Sequence, residues 1–195
     1  MIAVATVTLS GVPQAIIRAA LSDDAFHIEL VLRQTQIEGS AINSLDNTYG
    51  GMGVFFTRAT TSQVLTFKDS VDSSIIRAIG VGNGLYDTAP SDEQKTISLL
   101  SKRDYVAELC VATSSLEPFY CNDAVLGTIP VIQNLTVSFT RPQQTAHIYV
   151  NNNSGKDYVS ACIQINALAA QGSSFSKSVV VYKSGLIIKK IGPCK

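Results

Sequence analysis

Tryptophan is absent from this chain, histidine occurs only twice, and charge is sparse: 15% of residues are charged, and fifteen basic side chains balance fifteen acidic ones. Each shortage excludes something. A chain with no net charge has no long-range field to draw in nucleic acid or an anionic membrane surface. His27 and His147 have no acidic neighbour at ligand spacing, so zinc and histidine-based catalysis are not expected. No GxSxG, no P-loop and no dinucleotide fingerprint occurs; the glycine-rich run Gly80–Gly84 follows a weak strand pattern and no helix opens after it. Asn83, Asp87, Asp92 and Glu93 would be the residues to gather round a calcium ion. Their spacing matches no EF-hand loop, and a solvated acidic loop is the simpler reading. A cysteine nucleophile would need a paired base, and none is offered. The expectation is therefore no catalytic residue, no metal and no cofactor: the chain does not read as an enzyme.

What it does contain is Ser, Thr and Asn in place of charge. Such a surface is wet but weakly self-repelling, which suits a protein that packs against copies of itself or works outside the cell. A weakly charged soluble domain is the plainer alternative. At 195 residues the chain has room for a domain with a substantial core.

The four cysteines are Cys110, Cys121, Cys162 and Cys194. An even count with no CxxC favours disulfides over a metal site, although four reduced core cysteines remain an alternative. Cys110 and Cys121 flank a short turn-like segment where pairing is easy. Cys162 with Cys194 would then pin the carboxyl end to the body. Spacing alone does not settle the connectivity.

Residues 1–17 (MIAVATVTLSGVPQAII) are uncharged and mostly apolar, and Arg18 is the first charge. The run is short for a membrane span, is interrupted by Gly11 and Pro13, and lacks the basic region and cleavage site of a secretory signal. Both interrupting residues weaken a helix, so a loosened or kinked turn is expected there. From Phe26 onward the pattern turns amphipathic, and Phe26, Leu30, Ile37 and Ala41 are expected on one buried stripe. Ser22, Asp23 and Asp24 either cap a fresh helix start or ride on a continuous one. Glu29 and Arg33 stand in the favoured order for a pair across a turn, worth a few tenths of a kcal/mol. The helix is expected to fade by about Ser44.

Beyond it the chain reads as turns and short strands. Gly53–Thr60 and Gln63–Asp69 read as a hairpin after a turn-rich loop at 47–53, and a mostly loop segment with one strand at 75–79 follows. Thr96–Leu100 and Asp104–Ala112 are expected to pair with each other. Leu135–Thr140 alternates cleanly before Arg141 and Pro142, where proline blocks central pairing. His147–Asn151 and Tyr158–Leu168 follow, and the last hairpin turns at Lys183–Gly185. The fold class is α+β: an N-terminal helix, residues 1–44, with an apolar half and an amphipathic half, and a β-rich head, residues 45–195, of antiparallel strands packed on the helix. Lys177, Lys183, Lys189, Lys190 and Lys195 collect near the carboxyl end, without interleaved aromatics or arginines. Edge-strand lysines that discourage sheet-to-sheet pairing account for them more cheaply than a nucleic-acid patch.

Taken together and in order, several pieces resemble the type IV pilin family, in particular its GspH/FimT-like pseudopilins and minor pilins. The apolar half-helix with a Gly/Pro break runs into Leu32-Arg33-Gln34 with Gln36 and Gly39. Gly53-Val54-Phe55-Phe56, Thr66-Phe67-Lys68-Asp69 and Leu135–Pro142 follow, and residues 179–190 resemble the family's final hairpin. The resemblance spans most of the chain. It implies a pilin fold and a structural subunit that polymerises through its N-terminal helix into an extracellular filament serving adhesion, motility or uptake. Ile2, Val4, Val7, Leu9, Val12, Pro13, Ile16, Ile17 and Leu21 would be the assembly residues. The implied partners are copies of itself or other pilins, the pilus assembly machinery, and the inner membrane before assembly. DNA or a surface ligand, met through Lys183, Lys189 and Lys190, is the alternative implied by the minor-pilin branch. The sequence departs from the family in carrying neither a prepilin cleavage site nor an acidic residue inside the apolar segment; its first acid is Asp23. Aligning Pro13 with the usual helix kink would leave part of the mature helix upstream.

Overall fold

The structure is a computed structural model that describes residues 2–41, 49–70, 84–86, 95–115, 118–121, 131–140, 144–153, 157–168 and 174–194, with helix side chains described from Gln14 onward. The sequence expectations for a strand at 75–79 and an acidic loop at 83–93 fall outside these residues, apart from Gly84, Leu85 and Tyr86, and so does the fading of the helix toward Ser44.

One helix, α1 (Ile2–Ala41), comes first and is assigned helical straight through Gly11 and Pro13. It also continues past Ser22–Asp24, so those residues ride on it and do not start it. Among the described residues nine strands follow: β1 (Tyr49–Thr57), β2 (Gln63–Ser70), β3 (Lys95–Leu99), β4 (Asp104–Ala112), β5 (Asn134–Thr140), β6 (Ala146–Val150), β7 (Ser160–Leu168), β8 (Ser174–Tyr182) and β9 (Ile187–Ile191). They form two antiparallel sheets, one of order β3-β2-β1-β5-β6 and one of order β4-β7-β8-β9. The molecule is α+β.

The local hairpins are those the sequence predicts. β1 and β2 pair with Val54 opposite Thr66, and β8 and β9 pair with Val180 opposite Ile188. Between the latter, Gly185 takes a φ of 87°, a left-handed conformation that costs glycine little. β1 starts earlier than expected and takes in part of the glycine-rich stretch read as a loop.

One pairing differs. β3 and β4 are adjacent in sequence, but β3 pairs with β2 in the first sheet and β4 with β7 in the second. The short Ser101–Arg103 connection therefore carries the chain from one sheet to the other. Asp104 N–H bonds Ser101 O at 2.9 Å within it, and Val106 N–H reaches Thr61 O at 2.8 Å across the junction. Backbone donors that a β3–β4 hairpin would have satisfied are satisfied instead by β2, by β7 and by these bonds at the crossing.

The helix lies where the sheets meet. Its buried side chains Ile17, Leu21, Ala25, Ile28 and Leu32 join Val54, Phe56, Val137 and Phe139 of the first sheet and Leu109, Ile163, Ile165, Val179 and Ile187 of the second in one core. Spacings of four, four, three and four put these helix residues on a single stripe. Gly39 extends it: a Cβ there would stand 2.5 Å from Phe139 O and 3.1 Å from Phe139 Cβ. Gly39→Ala is expected to push the helix end off β5 and cost about 1–3 kcal/mol, as overpacking does, read as a lowered urea midpoint with unchanged m-value.

Candidate functional site: two faces of one helix

The stripe expected to be buried is the exposed one. Phe26 is 49% exposed, Leu30 46% and Ile37 66%, and Ala41 is exposed too. The physical reason lies in the polar positions interleaved in the true core stripe, which hide it from a hydropathy reading. Asp24, Thr35 and Gly39 occupy it, and each is accommodated. Asp24 Oδ2 accepts from Ser101 N–H at 2.8 Å, Thr35 Oγ1 donates to Val31 O at 2.7 Å, and Gly39 makes the close approach to β5. The helix thus has an apolar face on each side, one packed into the head and one in solvent. Ile16, at 64% exposure, lies on the outer face.

Polar contacts fix which face is which. Arg18 places its guanidinium 4.4 Å from the Phe175 ring centroid, and Lys177 Nζ donates to Ser22 Oγ at 3.0 Å. Arg33 bonds Ile187 O at 2.8 Å while its salt bridge to Glu29, also 2.8 Å, holds the guanidinium in place. Gln36 Nε2 donates to both Gln144 O and Gly185 O, each at 3.0 Å, and so ties the helix to the β8–β9 turn and to the approach of β6. The residues that carry the pilin resemblance in this helix therefore have docking roles: Leu32 in the core, Arg33 and Gln36 on backbone carbonyls, Gly39 against Phe139. Gln34 instead bonds Glu38 at 2.7 Å on the exposed side.

Of the residues the resemblance assigns to assembly, Ile17 and Leu21 lie in the chain's own core and are not free for a neighbour. Ile16 is available. The side chains of Ile2, Val4, Val7, Leu9, Val12 and Pro13 lie outside the described residues. Among the described residues no helix is long and apolar enough to cross a membrane.

The cysteines form the two disulfides anticipated. Cys110–Cys121 bridges β4 to a short segment beside it, where Val111 and Tyr120 exchange both backbone hydrogen bonds. Cys162–Cys194 ties β7 to the carboxyl end. Cys110 and Cys162 are register partners, so both bridges sit side by side on the outer face of the second sheet, with Val180 buried among them. Gln164 closes that end by accepting from Cys194 N–H at 3.2 Å. Glu108, Cys110 and Cys121 place ligand atoms within 4.8 Å of one another, but both sulfurs are consumed in the bridge.

The lysines proposed for a ligand do not converge. Lys183 is paired with Asp157 at 2.6 Å, and Lys189 stands 5.4 Å from the Phe26 ring centroid. Lys190 follows Lys189 on a strand and so points to the opposite face of the sheet. His147 Nε2 lies 3.2 Å from Thr140 Oγ1 and its ring stacks on Tyr149. Burial, then the charge of Lys183, pushes its pKa down. Tyr149 is raised by burial and by the Asp69 charge. His27 is half-buried on the helix.

Among the described residues, cavities lie on either side of the helix. One, of about 600 Å³, lies between Val31, Thr35 and Glu38 and the strand residues Met52, Thr66 and Ser98. The other, of about 420 Å³, lies between Ile16, Ile17 and Ala20 and the crossing at Ser101–Asp104. Asp104 lines this second cavity, and Asp24, which sequence reading did not connect with it, interacts with it electrostatically while accepting from Ser101 N–H on the same wall. In comparison with known proteins, no family model, no curated protein and no solved structure matches the chain.

Proposed function

We propose that the protein is a structural subunit that polymerises through its N-terminal helix into a type IV pilus-like extracellular filament. The observation that carries this reading is the second apolar face of α1. A helix already docked by a complete stripe has no need of Phe26, Leu30, Ile37 and Ile16 on its outside, and an exposed apolar stripe on a helix marks an interaction surface. Covering the exposed half of each such side chain contributes roughly 1 kcal/mol, so several per subunit offset much of the freedom lost on assembly. Two disulfides suit an extracellular head. The stage in the inner membrane and the assembly machinery as partner follow from the resemblance alone.

A DNA-binding minor subunit is the weaker reading. Its lysines are divided between an ion pair, an aromatic ring and opposite sheet faces, and the chain is neutral.

Leu30→Glu combined with Ile37→Glu tests the filament reading. The double variant is expected to keep the melting temperature of the parent monomer within a few degrees, because both side chains point to solvent, and to lose sedimentable polymer. Polymer that forms equally well with both glutamates in place would sink the proposal. Removing residues 1–24 would be a poor substitute, since Ile17, Leu21 and Asp24 belong to the head's own core.

A further inference from the structure

The junction between helix and head contains two buried acids that, among the described residues, have no cation paired to them. Asp24, in the middle of α1, is 7% exposed, and Asp104, the first residue of β4, is 3% exposed. Asp24 uses one oxygen to accept from Ser101 N–H. Asp104 Oδ2 is buried and has no donor directed at it. Two ionised carboxylates offer only acceptors to each other; a single proton between them turns that clash into a hydrogen bond.

The surroundings reinforce this. Asp23 and His27 stand near Asp24 on α1, Lys102 and Arg103 precede Asp104 in the crossing, Tyr105 follows it on β4, and Arg58 is in the β1–β2 turn; β7, whose Ala167 is the register partner of Asp104, brings no titratable side chain to this end. Lys102, Arg103 and Arg58 are exposed, and among the described residues none forms an ion pair with either acid. The cavity of about 420 Å³ lined by Ser101 and Asp104 lies next to the pair.

We propose that Asp24 and Asp104 form a proton-dependent latch between helix and head. With one proton shared, α1 sits closed on the two sheets; with both carboxyls charged, the contact loosens from Asp24 toward the amino end and frees the stripe of Ile17, Leu21 and Ala25. The latch is a property of the fold and does not rest on the filament reading.

Burial, then the hydrogen bond and charge of Asp24, raises the Asp104 pKa from 3.8 to about 7. The folded pKa lies above the unfolded one, so between those values the closed state holds a proton that the open state releases. Closure is therefore strongest in acid and weakens as pH rises through this window, with no further change above it. Near neutral pH the latch stands close to the upper limit of its range.

Amide hydrogen exchange of residues 17–25, corrected for the intrinsic rate at each pH, reads the opening constant. In the intact chain it is expected to rise roughly tenfold per pH unit between about pH 4 and 7 and then level off, the slope of one linked proton. Asp104→Asn should flatten the profile to within about twofold and keep the helix closed at pH 8. Asp24→Asn removes the neighbouring charge, so its rise should end at a lower pH than in the parent; it serves also if Asp104→Asn does not fold. Asp23→Asn, at the exposed neighbouring position, should leave the slope as it was. A flat profile in the intact chain, an Asp104→Asn profile as steep as the parent's, or an Asp24→Asn profile ending where the parent's does would each overturn the latch.

Discussion

Leu32→Ala is expected to cost the fold about 3–5 kcal/mol, whereas Leu30→Ala, two residues away, changes it by less than about 1 kcal/mol. Leu32 is fully buried between the two sheets, and its truncation leaves a cavity that Ile28, Val54 and Phe139 cannot close without moving the helix. Leu30 points the other way and already meets water. Urea unfolding of the two variants side by side measures the difference. Similar costs, or a larger one at Leu30, would mean that the helix is docked by its other face, as a simple hydropathy reading expects.

Losing the Cys162–Cys194 bridge is the second large effect. Its loop of 32 residues is worth roughly 3.5–4 kcal/mol in chain entropy, against roughly 2.8 kcal/mol for the 11-residue loop of Cys110–Cys121. The bridge also holds Cys194 against Gln164 and closes the end of the β9 hairpin, where Gly192 accepts from Ser178 Oγ at 3.1 Å. Cys162→Ser with Cys194→Ser is expected to lower the melting temperature by roughly 10 °C, and the Cys110→Ser, Cys121→Ser pair by less. Calorimetry under non-reducing conditions decides it; an unchanged melting temperature in the first double variant would show that the carboxyl end is held by packing alone.

The sequence makes the local parts of this fold legible and leaves the long-range ones hidden. Hairpins such as β1–β2 and β8–β9 are set by a turn and two flanking runs, all within one window of sequence. Cysteine count and spacing suggest Cys110–Cys121 and Cys162–Cys194 without settling them, and the structure shows these two pairs. Nothing local says that β3 and β4, separated by the four residues Leu100–Arg103, belong to different sheets; that is decided by β2 and β7, which lie at distant positions in the chain. The helix shows the same limit more sharply. Two apolar stripes run along it, and hydropathy favours the one with Phe26, Leu30 and Ile37. The sheets accept the other, because Gly39 allows close approach and because Arg33 and Gln36 reach backbone carbonyls from that orientation.

The same contrast bears on the candidate site. An aspartate at position 24 reads from sequence as a capping or solvent-side residue, and its partner Asp104 lies eighty residues away by number. The pair becomes visible only once the crossing between the sheets brings them together. The signal available in the sequence is slight: an acid at a position that continues the spacing of Ile17, Leu21 and Ile28.

Helix-mediated assembly is the central claim, and electron microscopy of the intact chain in detergent-free buffer at rising concentration tests it most directly. The account predicts filaments with helices packed along the axis and β-rich heads outside, their number increasing with concentration. Uniform single particles of one 20.8 kDa chain at every concentration would contradict it.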